Sequence, residues 1–146
     1  MGNLGEKLYE GNFEITIRRK NDKNEHLNHS KYDDHSEKIR QDFLKRFGWE
    51  DNNFPEPGVQ MSMREDNLKF RYSLKQGDKV KVKLEIFLDK YPFYRMIYTY
   101  YLPETGKIAC IDNNRDVFVN SDGKTIPIPG FFIETLKKYK EKSIKI

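Results

Sequence analysis

Residues 22–32, DKNEHLNHSKY, crowd carboxylates, imidazoles, amides and hydroxyls into one short polar stretch. A carboxylate held beside a hydrogen-bond donor can attack a carbonyl or activate water toward it. The same residue types can hold a metal ion, but His26, His29 and His35 have no acid at the helical HExxH spacing, so no metal is expected. Taken by itself, Asp22 is a solvated loop acid among Lys20, Lys23 and Asn24, and His26 is a packing and hydrogen-bonding residue of the loop. What decides between these readings is the set of elements on either side.

Before the stretch, Phe13, Ile15 and Ile17 alternate with Glu14, Thr16 and Arg18, the period of a half-buried strand. After it, from Ser30 to about Phe47, the spacing becomes helical, with Tyr32, Ile39, Phe43 and Phe47 on one face. Ser30 followed by Asp33 is a capping-box-like start, and Gly48 is the expected stop. The polar stretch is therefore a strand-to-helix loop. Helix-start N–H groups point out of such a loop together with the positive end of the helix dipole.

Trp49 to Gly58 carries two prolines and no period, and is expected to be a connector. Strands follow: Val59, Met61 and Met63 alternate, then Leu68, Phe70 and Tyr72, then Val80 to Leu88 after a turn at Gln76, Gly77 and Asp78. Phe93 to Leu102 is aromatic on both faces, which predicts a central strand or one covered by a partner. Ile108 to Val119 forms the last strand, where the polar run Asp112 to Asp116 is expected to mark a bulge or an excursion. LPETG at 102–106 has the letters of a sorting signal, but a strand-like segment follows it, so it reads as a turn. Phe132, Leu136 and Tyr139 share one side of a short C-terminal helix. Short links between the later strands favour antiparallel neighbours. The expectation is an α+β fold, an antiparallel sheet of about five strands around one amphipathic helix.

The chain has 146 residues, room for one domain (1–146) with one core. With 36% apolar and 34% charged residues, the 10 Phe and 9 Tyr must supply much of the buried area. The net charge of +4 comes from 27 basic residues interleaved with 23 acidic ones and no nucleic-acid module, so nucleic acid is not an expected partner. A lone Cys110 excludes an intrachain disulfide and a CxxC knuckle. With neither an apolar h-region nor a membrane-length apolar run, and with Glu6 where a myristoylation motif wants Ser or Thr, a cytoplasmic location away from membranes is expected.

The spacing of Asp22, His26, Leu27, Asn28 and Tyr32 resembles the signature of the 4-hydroxybenzoyl-CoA thioesterase-like and acyl-ACP thioesterase-like hotdog proteins. LKFRYSLKQGDKVKVKLEI is similar to the family's second to third strand, and VFVNSDGKTIPIP to its closing strand. Glu25 replaces the family's usual small residue, His29 the second Asn of its pair, and Ser73 the proline before its Gly-Asp turn.

The resemblance implies a hotdog fold and a hydrolase acting on acyl-CoA or acyl-ACP, with the carrier as part of the substrate and no further cofactor. It implies Asp22 as nucleophile or general base and a backbone N–H near His29 as the donor to the carbonyl oxygen, with His26, Asn28 and Tyr32 binding substrate or supporting the loop. Asp33, Asp34 and Glu37 on the helix are fallback carboxylates. Lys79, Lys81, Lys83, Arg95 and Arg115 are available to phosphate or an acidic carrier. A homo-oligomer built from dimers, two sheets joined edge to edge, is also implied. A non-catalytic hotdog protein binding an acyl group or a protein partner is the second reading.

Overall fold

The computed structural model describes residues 4–16, 29–75 and 77–144. In chain order they form β1 (Lys7–Thr16), α1 (His29–Arg46), β2 (Gln60–Phe70), β3 (Lys79–Leu88), β4 (Tyr94–Tyr101), β5 (Ile108–Val119), a short β6 (Thr125–Ile126) and α2 (Gly130–Ile144). The strands make one antiparallel sheet in the order β1-β3-β4-β5-β2, with β6 added on β5. The inner face of that sheet receives α1, whose Ser36 Oγ lies 2.6 Å from the Tyr100 hydroxyl and whose Phe43 ring meets Tyr9 edge-on at 4.8 Å. This is the α+β hotdog arrangement that the sequence led one to expect.

Helix α1 stops at the glycine chosen for it. Gly48 adopts φ +72°, its N–H reaches the Lys45 carbonyl at 3.1 Å, and the Trp49 N–H reaches back to Leu44 at 2.9 Å. Those two bonds satisfy carbonyls that the last turn leaves open, the Schellman arrangement. The connector after it contains one 3-10 turn, Glu50–Asn52. Trp49 is thereby set among Phe47, Phe54, Phe131 and Phe132, and joins the end of α1 to α2 through aromatic packing. Phe132 and Leu136 are fully buried, as the C-terminal periodicity predicts.

Two apparent interruptions in the sequence pattern resolve differently. Met61 and Met63 have odd parity, whereas Leu68 and Phe70 have even parity. One continuous strand holds all four, because the register between β2 and β5 shifts between Met63 and Glu65. Arg64 is the extra residue of a bulge, so Met63 lies opposite Asp116 while Asp66, Leu68 and Phe70 lie opposite Asn114, Asp112 and Cys110. The polar run in β5 is the reverse case. β5 itself carries neither an extra residue nor an excursion: it pairs without a break with β4 through 112–116, the bulge beside the run belongs to β2 at Arg64, and Asp112, Asn114 and Asp116 point inward and are buried. Their polarity tracks what they face, not a loss of strand.

The short-link expectation holds for β3-β4 and β4-β5, where Gly106 donates to Leu102 at 2.8 Å within the LPETG turn. It fails for β2 and β3. Residues 71–75 instead run past the end of β5, with the Arg71 and Tyr72 N–H groups on the Ala109 carbonyl at 2.9 and 3.2 Å, and β2 lies on the far edge of the sheet. Central β4 buries Tyr94, Met96, Tyr98 and Tyr100 completely and keeps Arg95, Ile97, Thr99 and Tyr101 half-buried on the other face.

The bulge makes a direct test. Deleting Arg64 leaves Met63 opposite Asp116 and Glu65 opposite Arg115 in an unbroken ladder, so Met61, Met63, Asp66, Leu68 and Phe70 all keep the inner face. One alanine inserted between Glu65 and Asp66 instead turns Asp66, Leu68 and Phe70 off that face. Urea denaturation is expected to show a change within about 1 kcal/mol for the Arg64 deletion and a loss of more than about 2 kcal/mol for the insertion, the scale of one or two displaced apolar side chains. A deletion that costs as much as the insertion contradicts the assigned register.

Candidate active site

Tyr32 sits in the first turns of α1 and is almost completely buried. Its ring meets Tyr100 edge-on at 5.1 Å and Phe70 at 5.3 Å, and its carbonyl accepts a hydrogen bond from the Tyr100 hydroxyl at 3.2 Å. Tyr32 therefore anchors the start of the helix to the sheet. Asp22, His26 and Asn28 lie outside the described residues. His29 opens α1. Of the fallback acids, Asp34 is exposed, whereas Glu37 lines a cavity under the helix.

That cavity, about 250 Å³, lies between α1 and the strands β2, β4 and β5. Its floor is the inward row Asp112, Asn114 and Asp116 with Tyr98, and its more exposed rim carries Glu37, Met63 and Asp66. A hydrogen-bonded chain runs across it. Ser36 Oγ donates to Asp112 Oδ2 at 2.6 Å, and the Tyr100 hydroxyl stands 2.6 Å from the same Oγ. Asn114, its amide nitrogen turned to the acids, donates to Asp112 Oδ1 at 2.9 Å and to Asp66 Oδ1 at 2.6 Å. Arg40 forks onto Glu37, Nε to Oε2 at 3.0 Å and Nη2 to Oε1 at 2.8 Å, and Gln41 adds a third donor at 2.9 Å.

The electrostatics follow from burial with few compensating groups. Burial pushes the Asp116 carboxyl up to about 7, with Arg40 pulling it down and Asp66 and Glu37 pushing it further up. Burial likewise raises the Tyr94 and Tyr98 phenols well above their ordinary value, and the nearby Asp116 charge adds to that. Glu37 is the opposite case: burial raises it, but the bonds from Arg40 and Gln41 outweigh that and hold it below the usual carboxylate range.

None of the floor residues was singled out from the sequence. Hydropathy could not separate them from a solvated strand, because their neighbours Asn113 and Arg115 are polar too. The available signal was parity: Asp112, Asn114 and Asp116 keep the phase of buried Cys110 and Phe118. The five surface cations are placed elsewhere. By strand alternation Lys79, Lys81, Lys83, Arg95 and Arg115 project from the sheet face opposite α1, where Arg95 pairs with Asp89 at 2.9 Å and Arg115 stacks on Phe93 at 3.6 Å.

A helix cradled by an antiparallel sheet, with a polar chamber beneath its middle turns, defines a class of fold before it defines a protein. Residues 19–136 match the model of the thioesterase-like superfamily, and the chain belongs to that family. No curated protein matches the sequence significantly. Among solved structures, a 1,4-dihydroxy-2-naphthoyl-CoA thioesterase from Synechocystis is similar at TM-score 0.76 and 14% identity, covering 89% of this chain and 96% of that one. A probable thioesterase from Escherichia coli is similar at TM-score 0.75 and 17% identity, covering 87% and 96%. A hypothetical protein from Staphylococcus aureus in complex with CoA is similar at 0.74 and 15%, covering 97% and 88%. Among the described residues no helix is long and apolar enough to cross a membrane.

Asp116 gives this site a pH signature. Folded Asp116 keeps its proton up to about pH 7 while the unfolded chain releases it near 4, so the folded state loses stability as pH rises through that window. Asp116→Asn stays neutral throughout. In urea melts it is expected to match wild type near pH 4 and to exceed it at pH 8 by up to about 4 kcal/mol, three pKa units at 1.36 kcal/mol each. Parallel pH curves for the two proteins contradict an uncompensated acid at this position.

Proposed function

We propose that this protein hydrolyses an acyl thioester, with Asp22 as the reacting carboxylate and the start of α1 as the site where the carbonyl is polarised. The family match carries the proposal, because residues 19–136 span both the Asp22 loop and every strand that lines the chamber. The geometry of α1 supports it. His29 begins the helix and Ser36 lies about 10 Å further along it at 1.5 Å per residue. A thioester held at the helix start thus has a chamber for its acyl group about 10 Å away, a span of roughly seven or eight carbon–carbon bonds.

In the general-base form Asp22 takes a proton from water as the water oxygen adds to the carbonyl carbon, and the negative charge on the carbonyl oxygen is met by a backbone N–H near His29. Collapse of that intermediate breaks the carbon–sulfur bond, and the thiolate leaves to become the free thiol of the carrier. In the nucleophilic form Asp22 itself bonds to the carbonyl carbon, expels the thiolate, and water then cleaves the resulting anhydride. His26 and Asn28 hold the loop in either form. Tyr32 is a positioning residue, since its buried ring and its bonded carbonyl fix the first turn. Acyl-CoA and acyl-ACP are both substrates to test, and the CoA complex of one structural neighbour gives CoA the first place.

The protein is proposed to work as a homo-oligomer built from dimers. Among the described residues edge strand β2 pairs with β5 alone and exposes Met63 at the rim of the chamber and Phe70 further along, so a second subunit added there completes the chamber wall. The departures at Glu25 and His29 favour one alternative, a non-catalytic member that binds an acyl group or a protein partner.

A panel of acyl-CoA and acyl-ACP thioesters assayed for thiol release distinguishes them. Turnover by wild type, falling at least about 100-fold in Asp22→Ala with an unchanged thermal melt, is expected for a carboxylate that takes part in the chemical step. Equal turnover by Asp22→Ala removes the mechanism, and saturable binding without turnover favours the alternative.

A further inference from the structure

The chamber under α1 has a polarity that neither a hydrocarbon nor an anion satisfies. At its floor Asp116 and Tyr98 are 2% and 0% exposed, and Asp116 Oδ1 and the Tyr98 hydroxyl have no hydrogen-bond partner among the described residues. Both residues line the same cavity of about 250 Å³. An unsatisfied buried acceptor costs about 1–3 kcal/mol, and more when charged. A guest that donates to Asp116 and contacts the Tyr98 hydroxyl removes that cost.

The remaining lining groups specify the guest. Ser36 and Asn114 already donate to Asp112 and Asp66. Arg40 is the sole cation among the described lining residues, and its guanidinium is forked onto Glu37. Four carboxyl groups, Glu37, Asp66, Asp112 and Asp116, thus surround the space with one cation, and that cation is committed. A guest meets more acceptors than donors and more negative than positive charge. Among the described residues no three His, Cys, Asp or Glu side chains come together closely enough to hold a metal ion, which leaves an organic cation. Met61 and Met63 supply an apolar wall for its stem, and the exposed acids Glu37 and Asp66 at the rim draw positive charge inward.

We propose that this chamber is a binding site for a protonated amine on a short aliphatic or small cyclic stem, its ammonium group placed between Asp116 Oδ1 and the Tyr98 hydroxyl. The volume fits such a molecule, being about eight times the roughly 30 Å³ that a water occupies in the liquid. The site goes beyond the hydrolase reading and its test needs no turnover. If the protein is a hydrolase, the amine belongs on the acyl group, which makes an amino-bearing acyl thioester the preferred substrate over a plain fatty one.

The acid that receives the ammonium faces Arg40 and Glu37 of α1, Asp66 of β2, Tyr94 and Tyr98 of β4 and Asp112 of β5. In the empty chamber burial favours its protonated form. Ammonium binding favours the ionised form, so affinity rises with pH up to the point where the amine itself loses its proton.

Isothermal titration of the full chain with n-butylammonium, n-butanol and butyrate tests the proposal. At pH 8 butylammonium is expected to bind saturably at one site, with butanol and butyrate at least about tenfold weaker, a difference of 1.4 kcal/mol or more. On wild type alone, lowering the pH to 5.5 is expected to weaken butylammonium at least about tenfold, because Asp116 must then give up its proton to bind. Asp116→Asn and Tyr98→Phe are each expected to lose at least about tenfold in affinity at pH 8. Absence of saturable binding, equal affinity for butanol, or an affinity unchanged between pH 5.5 and 8 overturns the proposal. The two wild-type comparisons decide it if either variant fails to fold, and a chain that binds butylammonium without hydrolysing any thioester retains this site while losing the proposed reaction.

Discussion

The inward face of β5 sets the terms for what packs on it. Asp112, Asn114 and Asp116 project from a strand that is hydrogen-bonded on both sides, so they cannot turn away to solvent without breaking two ladders. A carboxylate removed from water is strongly disfavoured unless donors replace the water. Ser36 donates to Asp112, Asn114 joins Asp112 to Asp66, and Tyr100 ties Ser36 to the Tyr32 carbonyl. One polar residue on an otherwise apolar helix face thereby fixes both the rotation of α1 and its height above the sheet.

The helix consequently lies over two different interiors. Its C-terminal half packs on aromatic rings, where Phe43, Phe47 and Trp49 meet Tyr9 and Phe132. The middle turns, Ser36 to Arg40, span the polar chamber. The β2 bulge at Arg64 belongs to the same arrangement, since it turns Asp66 inward to reach Asn114 while Met61 stays on the core face.

How far all this was legible depended on whether local polarity and local geometry agreed. In β3 they agree, with Val80, Val82, Leu84 and Ile86 buried and Lys81 and Lys83 outward, and the strand reads directly. In β5 they disagree, because a buried acid and an exposed acid are the same letter, and only the parity shared with Cys110 and Phe118 marked which was which. The parity break between Met63 and Leu68 was visible as two separate alternations, but nothing local showed that one strand joined them. The placing of β2 beside β5 lay further out of reach, since it depends on tertiary pairing and not on link length. Asp22 lies outside the described residues, and its reading rests on family spacing and not on the chemistry of the loop residues. The buried chamber follows no family motif and emerged only from the fold.

The account rests on the inner face of β5 being a polar chamber with an acid whose charge is incompletely met. Carbon-detected NMR of aspartate side-chain carboxyls across pH 3–9 measures this most directly. One aspartate resonance is expected to titrate near pH 7, some three units above the ordinary value, and to be missing from Asp116→Asn. If every aspartate in the folded protein titrates near 4, Asp116 is either solvated or fully compensated, and the chamber described here does not exist in that form.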